Sequence, residues 1–293
     1  MSSIGIIGAG NMGLGIALRL REQGHAVTVR DIDPAREALA AAGGCRLAPS
    51  PAALARDAEL LIVVVVDAAQ SRDVLFGPDG AASALKPGST VVLCPTIAPD
   101  DVEVLCADLA RRGLGALDAP MSGGPARARE GRMSLMVAGS DATFAASEPV
   151  LRQMADPLFR IGTRPGDGAR TKLVNNLLAA INLMGASEAL ALASRLGLDP
   201  SRTLDVIESS SGQSWVGSHR LRRALVGDDA PQAHMTLLAK DSGLAMAEVH
   251  RSGALAPVGA AASTAFARAV ADGLGGADDS ALYRWLLQAP LSV

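Results

Sequence analysis

Lysine is nearly absent from this 293-residue chain: of 27 basic residues only Lys86, Lys172 and Lys240 are lysines, and the rest are arginines. Arginine serves wherever a plain positive charge suffices. A lysine kept in this background is a candidate for proton transfer, because a desolvated ammonium can release its proton and a guanidinium cannot. Runs of like charge are also missing, and the net charge is only −3. Nothing in that balance favours nucleic acid or an anionic membrane, so a small-molecule partner is expected. The longest strongly apolar stretch, LLIVVVV at 60–66, is about a third of a membrane span and suits a strand buried on both faces. Cys45, Cys94 and Cys106 are odd in number and lack C-x-x-C spacing, which argues against a disulfide frame and a structural zinc. His25, His219, His234 and His250 are scattered without ligand spacing, and no metal is assigned. The opening MSSIGIIGAG has no basic leader, and its glycines suit a turn better than a signal-peptide core, so a cytoplasmic location is expected.

Two patterns follow one another along the chain. Up to about residue 160, β-rich runs (SIGIIG, AVTVRD, LLIVVVV, STVVLC, LGALDAP, MSLMVAG) alternate with helical stretches, which predicts an α/β, doubly wound (Rossmann) sheet. From RPGDGARTK onward, Ala/Leu-rich helical patterns take over, beginning with one from about 166 to 195. The expected organisation is a dinucleotide-binding domain over 1–163 and an all-α substrate and dimerisation domain over 164–293, joined through the long helix. The pairs Asp228/Asp229 and Asp278/Asp279 lie in turn-like segments and read as caps or turns rather than metal ligands.

Gly8-x-Gly10-x-x-Gly13 directly follows a predicted strand and opens a predicted helix, with Asn11 and Met12 inside the motif. In that context Gly8 permits a tight turn, Gly10 lets backbone approach a pyrophosphate, and Gly13 allows close helix packing. Asp31 ends the second strand, 18 residues beyond Gly13, where a carboxylate accepts both ribose hydroxyls and repels a 2′-phosphate. NAD is therefore expected over NADP, although Arg30 and Arg36 lie close by. Asp67 and Thr96 follow predicted strands, at the carboxyl ends where such sheets bind ligands, and a helix cap explains Asp67 equally well. Ser122-Gly123-Gly124 offers a hydroxyl and accessible backbone N–H groups, as a carboxylate grip requires. Lys172 and Asn176 are four residues apart, on one face of the predicted helix.

Four stretches, GIIGAGNMGLGIA, DAPMSGGPARAREG, DGARTKLVNN and KDSGLA, together resemble the β-hydroxyacid dehydrogenases, to which 3-hydroxyisobutyrate dehydrogenase belongs. The resemblance implies that Lys172 is the catalytic lysine and Asn176 its partner. It implies that Ser122, Gly123 and Gly124 hold a substrate carboxylate, that Thr96 touches the cofactor, and that Lys240 and Asp241 lie near the nicotinamide half of the site, with Lys240 binding both substrate and cofactor. The implied reaction moves a hydride between NAD and the 3-hydroxyl carbon of a small 3-hydroxy acid, in a homodimer or homotetramer. VVVVDAAQ, SSSGQSW and GGADDSA look most like the branch acting on four-carbon sugar acids such as L-threonate. The alternative is a reductase of small aldehyde acids such as succinic semialdehyde, glyoxylate or tartronate semialdehyde. Two positions depart from the family pattern, Leu238 where phenylalanine is frequent and Met121 where valine is commoner, and both are expected to bear on substrate preference.

Overall fold

The computed structural model describes residues 2–288 and divides into two compact units, Met1–Lys172 and Leu173–Val293. In the first unit the strands β1 (Ser3–Ile7), β2 (Ala26–Arg30), β3 (Arg46–Leu47), β4 (Leu60–Val63), β5 (Thr90–Leu93) and β6 (Gly115–Asp118) run parallel in the order β3-β2-β1-β4-β5-β6. Helices α1 (Asn11–Glu22), α2 (Pro34–Ala42), α3 (Pro51–Ala55), α4 (Ala68–Phe76) and α5 (Pro99–Ala110) connect them. Strands LLIV and TVVL are buried along their whole length, as a parallel sheet covered on both faces demands. The two-residue period of each strand divides its side chains between two cores. Ile4, Ile6, Ile62 and Val92 join Ile16 and Leu20 of α1, while Leu61, Val63, Val91 and Leu93 join Leu75 of α4 and Leu105 of α5.

Past β6 the sheet stops being purely parallel. The chain continues in the same direction as β7 (Met121–Ser122), turns through α6 (Gly124–Glu130) and returns as β8 (Met133–Gly139), which lies antiparallel to both β6 and β7. A parallel return would need a crossover over one face of the sheet; here the chain turns back at the carboxyl edge instead. α7 (Asp141–Met154) then crosses over to β9 (Ala155–Gly162), parallel to β8. β3, β7 and β9 are not among the β-rich runs of the sequence. The first two are two residues long and carry no period, and β9 contains Pro157 and Arg160.

Helix α8 (Asp167–Arg195) runs from the first unit into the second, followed by α9 (Pro200–Glu208), α10 (Trp215–Leu225), α11 (Met235–Ser252), α12 (Pro257–Ala269) and α13 (Leu282–Gln288). Asp199 and Ser214 cap α9 and α10, accepting the amides of Arg202 and Gly217 at 3.0 and 3.1 Å. Ala180, Leu183, Met235, Leu238, Phe266 and Leu282 form one core of this unit, and Leu190, Leu204, Leu221 and Tyr283 a second. Asp278 is a cap, as expected. It accepts from the Ser280 and Gln232 amides and from Arg223 at 3.1 Å, and Arg223 also reaches Asp228 at 2.8 Å. Burial opposes its ionisation, yet the bonds from Ser280 and from the Gln232 and Ala233 amides hold its carboxyl down at about 2.

Candidate active site

The three glycines after β1 have different structural reasons. Gly8 has φ +95°, and a Cβ there would strike the Val64 carbonyl; a Cβ on Gly13 would strike the carbonyl of Gly8. Both are required by the fold itself. Gly10 is not: its backbone is extended (φ −60°, ψ −162°) and a Cβ on it would meet nothing within 4 Å. Neither strain nor packing accounts for glycine at 10. It leaves bare backbone facing open space at the start of α1, where Gly10 supplies no side-chain cap and the first N–H groups of the helix point outward. That is the fit a pyrophosphate needs.

Asp31 stands directly after β2, and its carboxylate accepts the Ala9 amide on the glycine turn and, at 2.9 Å, the Asp33 amide. Each oxygen retains a second lone pair for a ribose hydroxyl. Arg30 bonds to Glu37 at 2.8 Å, and this bond holds the Glu37 carboxyl below its ordinary range. Arg36 instead donates to the side chain of Asn11 at 3.0 Å. Of the two arginines close to Asp31 in sequence, one is therefore clamped by a carboxylate and the other reaches the glycine turn. Asp67 caps α4 by accepting the Gln70 amide at 2.8 Å, at the carboxyl end of β4, and Thr96 lies in the segment between β5 and α5. All of these positions gather along the carboxyl edge of the β1, β2, β4 and β5 strands, where doubly wound sheets bind ligands.

Ser122, Gly123 and Gly124 form the turn from β7 into α6, beyond the carboxyl end of β6. Gly123 has φ +134°, open only to glycine, and a Cβ there would sit 3.0 Å from Arg127. Lys172 is 6% exposed on α8, with Gly168 one turn before it and Asn176 one turn after it. Within the second unit, the Asn176 Nδ2 donates to Asp241 Oδ2 at 2.6 Å, and the Lys240 Nζ lies 2.8 Å from Asp241 Oδ1. Asp241 thus joins two of the residues picked out from sequence. The two departures from the family pattern are both core residues of their own unit: Met121 packs in the cluster with Ala119 and Leu135, and Leu238 in that with Leu183 and Phe266.

Asp118 is not among the residues that the sequence motifs single out. It is the only charged residue of β6, in an otherwise apolar strand, and is 1% exposed. A lone carboxylate closing an apolar run was the available signal. Glu37 was also missed; its hold on Arg30 depends on α2 folding back beside β2.

Comparison with known proteins extends over both units. Residues 3–162 match the family described as the NAD binding domain of 6-phosphogluconate dehydrogenase. Residues 166–286 match the family described as NAD-binding of NADP-dependent 3-hydroxyisobutyrate dehydrogenase. The chain is 39% identical to an L-threonate dehydrogenase of Cupriavidus necator, over 96% of this chain and 95% of that protein. Among solved structures, a 3-hydroxyisobutyrate dehydrogenase from Salmonella typhimurium superposes with a TM-score of 0.91 at 35% identity, covering 96% of this chain and 99% of that one. Psf3, solved in complex with NADP+ and 2-OPP, superposes with a TM-score of 0.90 at 29% identity, covering 97% and 99%.

Proposed function

The chain belongs to the β-hydroxyacid dehydrogenase family, of the 3-hydroxyisobutyrate dehydrogenase type, and from that premise we propose that it oxidises a four-carbon sugar acid of the L-threonate class at its 3-hydroxyl. It is an NAD(P)-dependent hydroxyacid dehydrogenase acting on a small 3-hydroxy acid; the sugar acid and the preference for NAD are the proposal. The Gly8–Gly13 turn and Asp31 would hold the dinucleotide, which would supply the hydride acceptor for the substrate carbon that carries the hydroxyl. Ser122, Gly123 and Gly124 hold the substrate carboxylate. The Lys172 amine takes the hydroxyl proton as the carbonyl forms and returns it in the reverse direction, while Asn176 orients the substrate oxygen through the Nδ2 hydrogen not given to Asp241. General acid–base help of this kind contributes about 10²- to 10⁴-fold in rate. The observation that carries the reading is Lys172 itself, a buried lysine in a chain that uses arginine for 24 of its 27 basic residues.

A panel of L-threonate, D-erythronate and 3-hydroxyisobutyrate, followed by NAD reduction, tests the substrate class. L-threonate is expected to have the highest kcat/KM. Turnover confined to reduction of glyoxylate, succinic semialdehyde or tartronate semialdehyde would transfer the assignment to the aldehyde reductases. NAD is expected to exceed NADP in kcat/KM by about tenfold or more, equivalent to about 1.4 kcal/mol, and Asp31→Ser to erase most of that difference. A native preference for NADP would sink the role given to Asp31.

The second unit also supports a homo-oligomer, a dimer or tetramer. On α8 the residues Val174, Leu178, Leu192 and Leu196 just past its end are each more than half exposed, and Ile181, Gly185 and Ala189 complete one stripe of the helix. By length and composition α8 could cross a membrane. We assign the stripe to a second copy of the chain rather than to lipid, because the opposite face of the same helix packs in this unit's own cores through Ala180, Leu183 and Leu190. Light scattering without detergent should give a multiple of 29.8 kDa, and Leu178→Glu with Leu192→Glu should reduce it. A monomeric native protein would rule this out.

A further inference from the structure

Asp118 has a place in the reaction that follows from what it bonds. Its Oδ2 accepts the Ala169 amide at 2.9 Å, and the amides of Gly166 and Gly168 also bear on the carboxylate. These are the open N–H groups at the start of α8, and a carboxylate from another element is a strong cap for them. The approach is close: a Cβ on Gly168 would stand 2.9 Å from Asp118 and 2.7 Å from the Met136 carbonyl, so α8 begins in contact with the backbone of β6 and β8. Ala169 is buried with Leu93, Val102 and Leu105, and Arg170 bonds to Glu103 of α5 at 2.7 Å.

Chain positions give this anchor its meaning. Ser122 lies four residues after Asp118, and Lys172 three residues after Ala169. We propose that Asp118 is a positioning residue of the dehydrogenase reaction: by bonding the first turn of α8 to the strand that leads into the Ser122–Gly124 turn, it fixes the reach between the group that takes the proton and the loop that holds the substrate carboxylate. This rests on the function proposed above. A buried charge is a costly cap where a neutral oxygen would serve, and its retention fits a bond that must not slip. Burial pushes the Asp118 carboxyl up to about 6, the Ala169, Gly166 and Gly168 amides oppose this, and the negative charge of Asp167 adds to the rise. The thiols of Cys94 and Cys106, which feel the Asp118 charge, are both pushed up by burial and so uncharged.

The test is Asp118→Asn, which keeps the volume and one acceptor but turns an NH2 toward the amides of the turn. A displacement of about 1 Å in a reacting group can cost about 10²-fold. The kcat for the acid is therefore expected to fall between about 10- and 100-fold, with KM and NAD affinity changed less than about threefold. Unchanged kcat would overturn the proposal, as would a loss of kcat and NAD affinity together in proportion to unfolded protein. Hydrogen exchange of the unaltered protein needs neither the variant nor the substrate. Protection at Ala169, corrected for intrinsic rates, should drop between pH 8 and pH 5 as the carboxylate is neutralised, more than at the amides of β4 and β5. Protection independent of pH would overturn the anchor, whereas an inactive enzyme with pH-dependent protection would count against the substrate assignment alone.

Discussion

Lys172→Arg is expected to lower kcat by about 10²-fold or more while NAD affinity is little changed. The substitution keeps the positive charge and most of the length, but the guanidinium holds its proton at any working pH, so the substrate hydroxyl has no base to take its hydrogen. Affinity for NAD should survive because the glycine turn and Asp31, to which the dinucleotide is assigned in the proposal above, lie more than a hundred residues earlier in the chain. In the unaltered enzyme, kcat/KM for oxidation should rise with pH as the lysine deprotonates, and the variant should lack that limb. Steady-state kinetics across pH decides it. Near-native turnover with the limb intact would leave Lys172 an electrostatic contact and move the proton transfer to Lys240.

Gly10→Val should weaken NAD binding by about 10²-fold, or about 2.8 kcal/mol, with little loss of stability. The contrast with its neighbours is what makes this informative. A Cβ at 10 meets no protein atom within 4 Å and the extended backbone accepts a side chain there; losing a tolerated N-cap glycine costs about 1 kcal/mol at most. The branched side chain would instead occupy the space a pyrophosphate must enter. Gly13→Ala should do the opposite and lower the melting temperature, since its Cβ would strike the Gly8 carbonyl. Titration calorimetry with NAD beside a thermal melt separates the two. A Gly10→Val protein that binds NAD with native affinity would remove the pyrophosphate from this turn.

Much of this protein can be read locally along its chain. The order of strands and helices follows from period and punctuation. Six apolar runs became β1, β2, β4, β5, β6 and β8, and the pattern from about 166 to 195 became α8, Asp167–Arg195. The glycine motif and the lysine on α8 were also visible, because turn chemistry and proton chemistry depend on residue type at short spacing. Other features required distant segments to meet. The antiparallel turn at β8 depends on which edge the chain reaches after β6, and no local period encodes that. Which arginine reaches the glycine turn depends on Glu37 folding back onto Arg30. The glycines at 8, 10 and 13 look alike in sequence, yet two are required by neighbouring carbonyls and one is not, because only the folded chain brings Val64 against the turn. Asp118 and Ala169 are 51 residues apart. A buried carboxylate acquires its role from the amides that surround it, and those amides are supplied by tertiary structure alone.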